Sequence, residues 1–95
     1  MRDYELVAII SPEVDEEGVS KIVDKVTQSI DSRGGAVEEV KKWGRRKLAY
    51  PIKHFLEGGY VLMRLQMEPL QNKALEADMK ISEDIIRYLL IKLDS

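Results

Sequence analysis

The sequence contains no cysteine, and His54 is its only histidine. Without cysteine there is no disulfide framework and no thiolate metal site, which fits a reducing compartment. One histidine excludes a Ser-His-Asp triad and a multi-histidine metal site within the chain. The sequence therefore predicts no enzyme: we assign no catalytic residue, no metal ligand and no cofactor.

Long hydrophobic runs are also missing. The longest, Leu6 to Ile10 and Leu89 to Ile91, fall far short of the roughly 20 residues that span a bilayer, and no signal-like apolar core opens the chain. The glycine pairs Gly34-Gly35 and Gly58-Gly59 are too short for a Walker loop or a dinucleotide fingerprint. We expect a cytoplasmic protein that binds neither membranes nor nucleotides.

The 95 residues are 44% hydrophobic and 34% charged, which is typical of one soluble globular domain, residues 1–95. The net charge of −2 is unevenly distributed along the chain. Residues 13–39 hold eight acids and three bases, whereas residues 41–54, KKWGRRKLAYPIKH, hold six Lys or Arg and no acid. We name residues 41–54 the basic segment. Such a local excess of positive charge indicates where an anionic partner binds.

Two interpretations of the basic segment remain open. Lys and Arg on an exposed strand discourage edge-to-edge pairing of sheets. However, Arg45, Arg46 and Lys47 are consecutive, and consecutive strand residues point to opposite faces, so edge protection cannot use all three. Guanidinium groups beside aromatic rings favour RNA, whose phosphates and unpaired bases they bind. We expect eight residues to contact RNA, in the basic segment or at the rim of a sheet: Arg2, Tyr4, Lys42, Trp43, Arg45, Arg46, Lys47 and Arg87.

The order of elements follows from hydrophobic periodicity and from turn residues. Strand formers fill Tyr4–Ile10, and Asp15 caps a helix that ends at Arg33-Gly34-Gly35. Pro69 opens a second helix, whose apolar stripe includes Leu70, Ala74, Leu75 and Met79. The remaining predicted strands are Ala36–Trp43 with Leu48–Ile52, then Tyr60–Met67 after a turn at Gly58-Gly59, and Ile85–Leu93 in the sheet interior.

This order, strand-helix-strand-strand-helix-strand, predicts a ferredoxin-like α+β sandwich. A four-stranded antiparallel sheet then carries both helices on one face and leaves its other face open. Apolar side chains on the open face form a patch that monomers seldom leave bare, so a protein partner or stacked bases should cover it. We expect the partner to contact Val7, Ile9, Tyr60, Leu62, Leu89 and Ile91.

The chain resembles the bacterial small-subunit ribosomal protein six family over nearly its full length. The resemblance rests on MRDYELVAIISPEVDEE at the start, WGRRKLAYPI in the centre, and GGYVLMRLQM and EDIIRYLLIKL later. It implies a non-enzymatic component of the small ribosomal subunit. The resemblance also implies binding to the central domain of small-subunit ribosomal RNA jointly with the small-subunit protein numbered eighteen, and we expect a monomer when the chain is free.

Two alternatives share the element order. A homodimeric ferredoxin-like domain that binds or degrades small molecules would bury the open face by self-association, but it leaves the basic segment unexplained. An RNA-recognition module of the sheet-stacking type needs aromatic residues at the centre of its middle strands. Here the third strand offers Leu62 and Arg64 at these positions, which does not match.

Overall fold

The computed structural model describes residues 1–93, so Asp94 and Ser95, which the single-domain prediction includes, lie outside the described residues. Four strands and two helices follow one another in the predicted order. They are β1 (Arg2–Ile10), α1 (Glu16–Ser32), β2 (Ala36–Ile52), β3 (Phe55–Met67), α2 (Asn72–Ile81) and β4 (Ile85–Lys92), with a short 3-10 turn, Pro69–Gln71, before α2. The strands form one antiparallel sheet in the order β2-β3-β1-β4. The predicted ferredoxin-like architecture is confirmed.

The core lies between the sheet and the two helices. Along β1 the side chains alternate, because successive strand residues point to opposite faces, and Leu6, Ala8 and Ile10 are buried. In β3, Met63 pairs with Leu6 and Val61 pairs with Ala8, and both are also buried. The core cluster comprises Tyr4, Leu6, Ala8, Ile10, Val23, Val26, Ile30, Val61, Met63, Leu65, Met67, Leu75, Met79 and Ile85. The predicted helix-facing parity of β1 and β3 is therefore confirmed.

Helix α1 begins at the predicted cap. The Asp15 carboxylate accepts a hydrogen bond from the backbone N–H of Gly18 at 2.8 Å, which satisfies a donor that the first turn leaves unpaired. The helix ends at Ser32, and Gly34 follows with φ 80°. Gly35 then starts the crossover to β2 at a site where its backbone lies close to β3: an added Cβ would lie 2.6 Å from the Gln66 carbonyl oxygen.

The β2–β3 hairpin turns at a different place from the one predicted. The prediction of a turn at Gly58-Gly59 is wrong, because β3 already begins at Phe55 and the chain reverses at Lys53 and His54, with φ 49° and 71°. Gly58 instead lies within β3, where it makes room for β1: a Cβ at Gly58 would lie 2.5 Å from Cγ2 of Ile9.

The second half of the chain corrects two further expectations. Leu75 and Met79 of α2 face the core as predicted, but Leu70 is almost fully exposed, because it lies in the 3-10 turn and points away from the sheet. The position of β4 was also predicted wrongly. It is an edge strand, and among residues 1–93 it pairs with β1 alone.

Candidate nucleic-acid interface

The basic segment runs along β2 and around the turn of the hairpin. Pairing with β3 divides its central cations between the two faces: Arg45 is opposite Gly59 and Lys47 opposite Glu57, on the side of the helices. Arg46 is opposite Gly58, on the open face. The three consecutive cations therefore do not lie on one face, because successive strand residues point to opposite faces.

Two cations of the segment are held by the chain itself. Arg45 donates from Nη2 to the Pro12 carbonyl oxygen and from Nη1 to the Glu57 carboxylate at 3.5 Å. Lys42 donates from Nζ to Ser20 Oγ of α1 at 2.6 Å. Both cations are exposed, yet both are engaged in fixing β2 to the helical side, and an anion that binds them competes with these contacts.

Arg46, Lys47 and Trp43 form the freely accessible part of the segment. Both cations are exposed, and within residues 1–93 neither forms an ion pair or a side-chain hydrogen bond. Trp43 is the extra residue of a β-bulge between Lys42 and Gly44, where Gly44 adopts φ 75°, and its side chain is about half exposed. Bulges redirect side chains away from the regular ladder.

Two of the predicted RNA contacts do not join this site. The expectation for Tyr4 is corrected, because its side chain is 3% exposed, packs in the core and accepts a hydrogen bond from Asn72 Nδ2 at 3.1 Å. Arg2 is exposed, but it lies at the other end of β1 from Ile10, about 27 Å away at the usual rise of a strand. The predicted set therefore does not converge on a single surface.

The end of the hairpin bends across the open face. Tyr50, on one edge strand, accepts a hydrogen bond from Nη1 of Arg87, on the other edge strand, and the guanidinium carbon lies 6.0 Å from the centre of the tyrosine ring. Between the hairpin end and the sheet is a cavity of about 270 Å³, whose lining includes Ile9 and Leu89. Sequence reasoning missed the role of Tyr50, since nothing local to Tyr50-Pro51 signals a contact 37 residues away.

The bend also changes one predicted partner contact. Ile9 was expected on the exposed surface, but it is only 8% exposed because Gly58 packs against it and the hairpin end lies above it. The other members of the predicted set are at least partly exposed. Val7 pairs with Leu62 on one side and with Leu89 on the other, which makes an apolar row across three strands.

Charge differs between the two faces of the molecule. The acids at the start of α1, Glu16 and Glu17, are exposed on the helical side. The open face carries Arg46 and Arg87 near the hairpin end, whereas Arg64 lies opposite the acids Glu5 and Glu39 in the ladder. An anion is therefore favoured at the hairpin and at the end of the open face next to it over the surface of α1.

The same residues offer little for other chemistry. Within residues 1–93 no three His, Asp or Glu side chains are grouped so that they could hold a metal ion. No helix in this part of the chain is long and apolar enough to cross a membrane. The pKa of one carboxyl is clearly displaced: hydrogen bonds from Ser29 and Arg33 lower the pKa of Asp78, at the contact between α1 and α2.

Comparison with known proteins gives a consistent result. Residues 3–92 match the family model described as Ribosomal protein S6. The chain is 42% identical to the small ribosomal subunit protein bS6 of Desulforamulus reducens, over 97% of each chain. It is also 42% identical to that of Heliobacterium modesticaldum, over 99% of this chain and 98% of the relative.

A solved structure agrees with the sequence relatives. The crystal structure of 30S ribosomal protein S6 from Thermotoga maritima superposes with a TM-score of 0.92 and 33% sequence identity, covering 97% of this chain and 87% of that one. The family resemblance inferred from the sequence is therefore confirmed over nearly the whole chain. The chain belongs to the ribosomal protein S6 family, a family of structural, non-enzymatic components of the small ribosomal subunit.

Proposed function

We propose that the chain binds the central domain of small-subunit ribosomal RNA jointly with small-subunit protein eighteen. The observation that carries this proposal is the pair Arg46 and Lys47, two exposed cations on the hairpin with no ion pair within residues 1–93. Within β2, Arg46 is available to phosphates on the open face and Lys47 on the helical side, and each phosphate contact releases counterions. Trp43, half exposed at its bulge, adds an aromatic surface beside them.

The charge distribution supports joint binding over independent binding. The net charge of −2 and the acidic start of α1 repel RNA in general, so the attraction is confined to the basic segment. A basic partner bound next to the patch adds phosphate contacts that this chain cannot supply. We therefore expect weak, strongly salt-dependent binding by the chain alone and tight binding by the pair.

The open face supplies the surface for the protein partner in this proposal. Leu62, Leu89 and Ile91 are partly or largely exposed there, and Val7 lies between the first two in the ladder. Burial of such side chains contributes roughly 1.5–3 kcal/mol each when complete. Arg87 borders both surfaces, so RNA and the partner meet on the open face close to Tyr50.

The test is RNA binding across a salt series, with and without protein eighteen. Arg46→Ala/Lys47→Ala should weaken binding and reduce the slope of log K against log salt by up to about 2, at roughly 0.9 per lost duplex phosphate. The matched control, Lys21→Ala/Lys25→Ala, removes the same charge from exposed positions of α1 and should change the slope little. Equal effects of the two double variants would show that only the net charge of the protein matters, and would overturn the assignment of Arg46 and Lys47 to phosphate contacts.

Sedimentation velocity tests the partner surface separately. We expect the free chain to sediment as a monomer and to form a one-to-one complex with protein eighteen. Leu62→Asp should abolish that complex while the chain stays folded, since Leu62 is only partly buried. A homodimer that Leu62→Asp dissociates would support self-association through the open face instead.

A further inference from the structure

Helix α2 and the turn before it present apolar side chains on two opposite sides. On the inner side, Leu75 and Met79 are fully buried against the sheet. On the outer side, Leu70 is 93% exposed and Ile81 is 79% exposed. Packing in the core explains why Leu75 and Met79 are apolar, but it does not explain why Leu70 and Ile81 are.

The exposed residues lie on one line. Leu70, Ala74, Ala77 and Ile81 are separated by four, three and four residues, the spacing that keeps side chains on one face of a helix. Ala77 is exposed and Ala74 is partly exposed. We name these four residues the outer stripe. Single exposed apolar residues are ordinary, but a row at this spacing is the pattern by which one helix packs on another.

We infer that the outer stripe is the docking surface for an amphipathic helix of a partner protein, and that this helix carries acidic residues beside its apolar seam. The two alanines at the centre let a second helix approach closely, while Leu70 and Ile81 fill the spaces at either end. The stripe covers about 17 Å along α2 and the turn before it, which is enough for three turns of a partner.

The charges beside the stripe set the polarity of the partner. Lys73 and Lys80 are both exposed, are seven residues apart and border the same side of the stripe. On the opposite side lie Gln71 and Asp78, and Asp78 is already bound by Arg33 and Ser29 at 2.7 and 2.6 Å. Glu76, which is partly exposed, lies within one turn of both lysines but further round the helix from the stripe. The charge that borders the stripe is therefore positive, and residues at these flanking positions pair with opposite charges across a helix–helix contact.

A second copy of the chain fits this surface less well. Antiparallel pairing of two α2 helices would place Lys73 and Lys80 against the same lysines of the other copy. RNA would accept the lysines but not Leu70 and Ile81.

The experiment uses two synthetic 21-residue helical peptides as probes. Both alternate Leu and Ala along the seam; one carries Glu and the other Lys at every flanking position, and like charges keep each peptide monomeric. Amide chemical shifts of the isotope-labelled full chain are followed during titration with each peptide. We expect the Glu peptide to produce saturable shifts confined to residues 70–81, and the Lys peptide to bind at least fivefold more weakly.

Two variants separate the contributions of shape and charge. Leu70→Ser/Ile81→Ser should abolish binding without unfolding the chain, because both side chains are exposed. Lys73→Glu/Lys80→Glu should reverse the preference between the peptides. The inference is overturned if both peptides bind equally, if no saturable shift occurs, or if the shifts map to the open face around Leu62. Self-association of the chain through the outer stripe would replace the partner helix by a second copy and would equally overturn it.

Discussion

Gly35 offers a sharp test of how the crossover from α1 to β2 is packed. Its N–H donates to the Ile30 carbonyl at 3.0 Å, and a Cβ at this position would lie 2.6 Å from the Gln66 carbonyl oxygen and 2.9 Å from Ile30 Cγ2. Ile30 is completely buried, and the Gln66 oxygen in this contact belongs to the backbone of β3, not to the flexible side chain. Gly35→Ala therefore requires movement of backbone rather than of a flexible side chain.

The magnitude follows from the size of that movement. Carbon–oxygen contacts are normally about 3.3 Å or longer, so the start of β2 must separate from β3 by about 0.7 Å. Overpacking of this kind costs about 1–3 kcal/mol. We expect a loss of about 2 kcal/mol in the free energy of unfolding, which corresponds to a fall in Tm of roughly 8–16 °C for a domain of this size.

The measurement is urea unfolding followed by far-ultraviolet circular dichroism, with Gly34→Ala as the matched control. Gly34 has φ 80° but nothing within 4 Å of an added Cβ. That substitution therefore costs only the left-handed backbone strain, about 1 kcal/mol. If Gly35→Ala unfolds at the wild-type urea concentration, or costs less than Gly34→Ala, the close approach of β3 is not what selects glycine at position 35.

Two further predictions concern side chains away from the hairpin. Asp78→Asn should lower the free energy of unfolding at pH 7 by up to about 1 kcal/mol, since the ion pair is partly exposed. Because Ser29 and Arg33 lower the pKa of Asp78 below its ordinary 3.8 in the folded state, this stabilisation is present above pH 4 and is lost as pH falls through the native pKa. A difference between the urea midpoints of the two proteins that does not shrink as the pH is lowered would contradict the assignment. Tyr4→Phe should lower the free energy of unfolding by about 1 kcal/mol, because it leaves the Asn72 amide without its acceptor. It should leave RNA affinity unchanged; lower affinity at unchanged stability would indicate that Tyr4 contacts RNA after all.

The elements that sequence reasoning placed well have local causes. The alternation in β1 and the Asp15 cap of α1 depend on neighbours within a few residues, and both are confirmed. The hairpin turn was misplaced because its true residues, Lys53 and His54, include no glycine, which is the clearest sequence signal of positive φ. Gly58-Gly59 resembles a turn, yet Gly58 is required by the approach of Ile9 from another strand.

The candidate site was predicted only in part for the same reason. The sequence locates the cluster of cations, but it does not show which of them the chain itself engages. Arg45 reaches the Pro12 carbonyl 33 residues away, and Arg87 reaches Tyr50. The hydroxyl of Tyr4 likewise accepts a hydrogen bond from Asn72, which lies 68 residues further along the chain. Long-range contacts of this kind are determined by the assembled sheet and helices.

The length of the hairpin has a further consequence. The pairing of β1 with β3 ends at Ile10 and Gly59, so beyond that point β2 and β3 continue as a two-stranded ribbon, which has little stability of its own. One guanidinium group holds the ribbon on each side, that of Arg45 on the helical side and that of Arg87 on the open face. An anion that takes either group competes with the chain's own carbonyl or hydroxyl oxygen. Anion binding and release of the hairpin end are thus thermodynamically linked, and a ligand that captures these cations loosens the very segment that presents them.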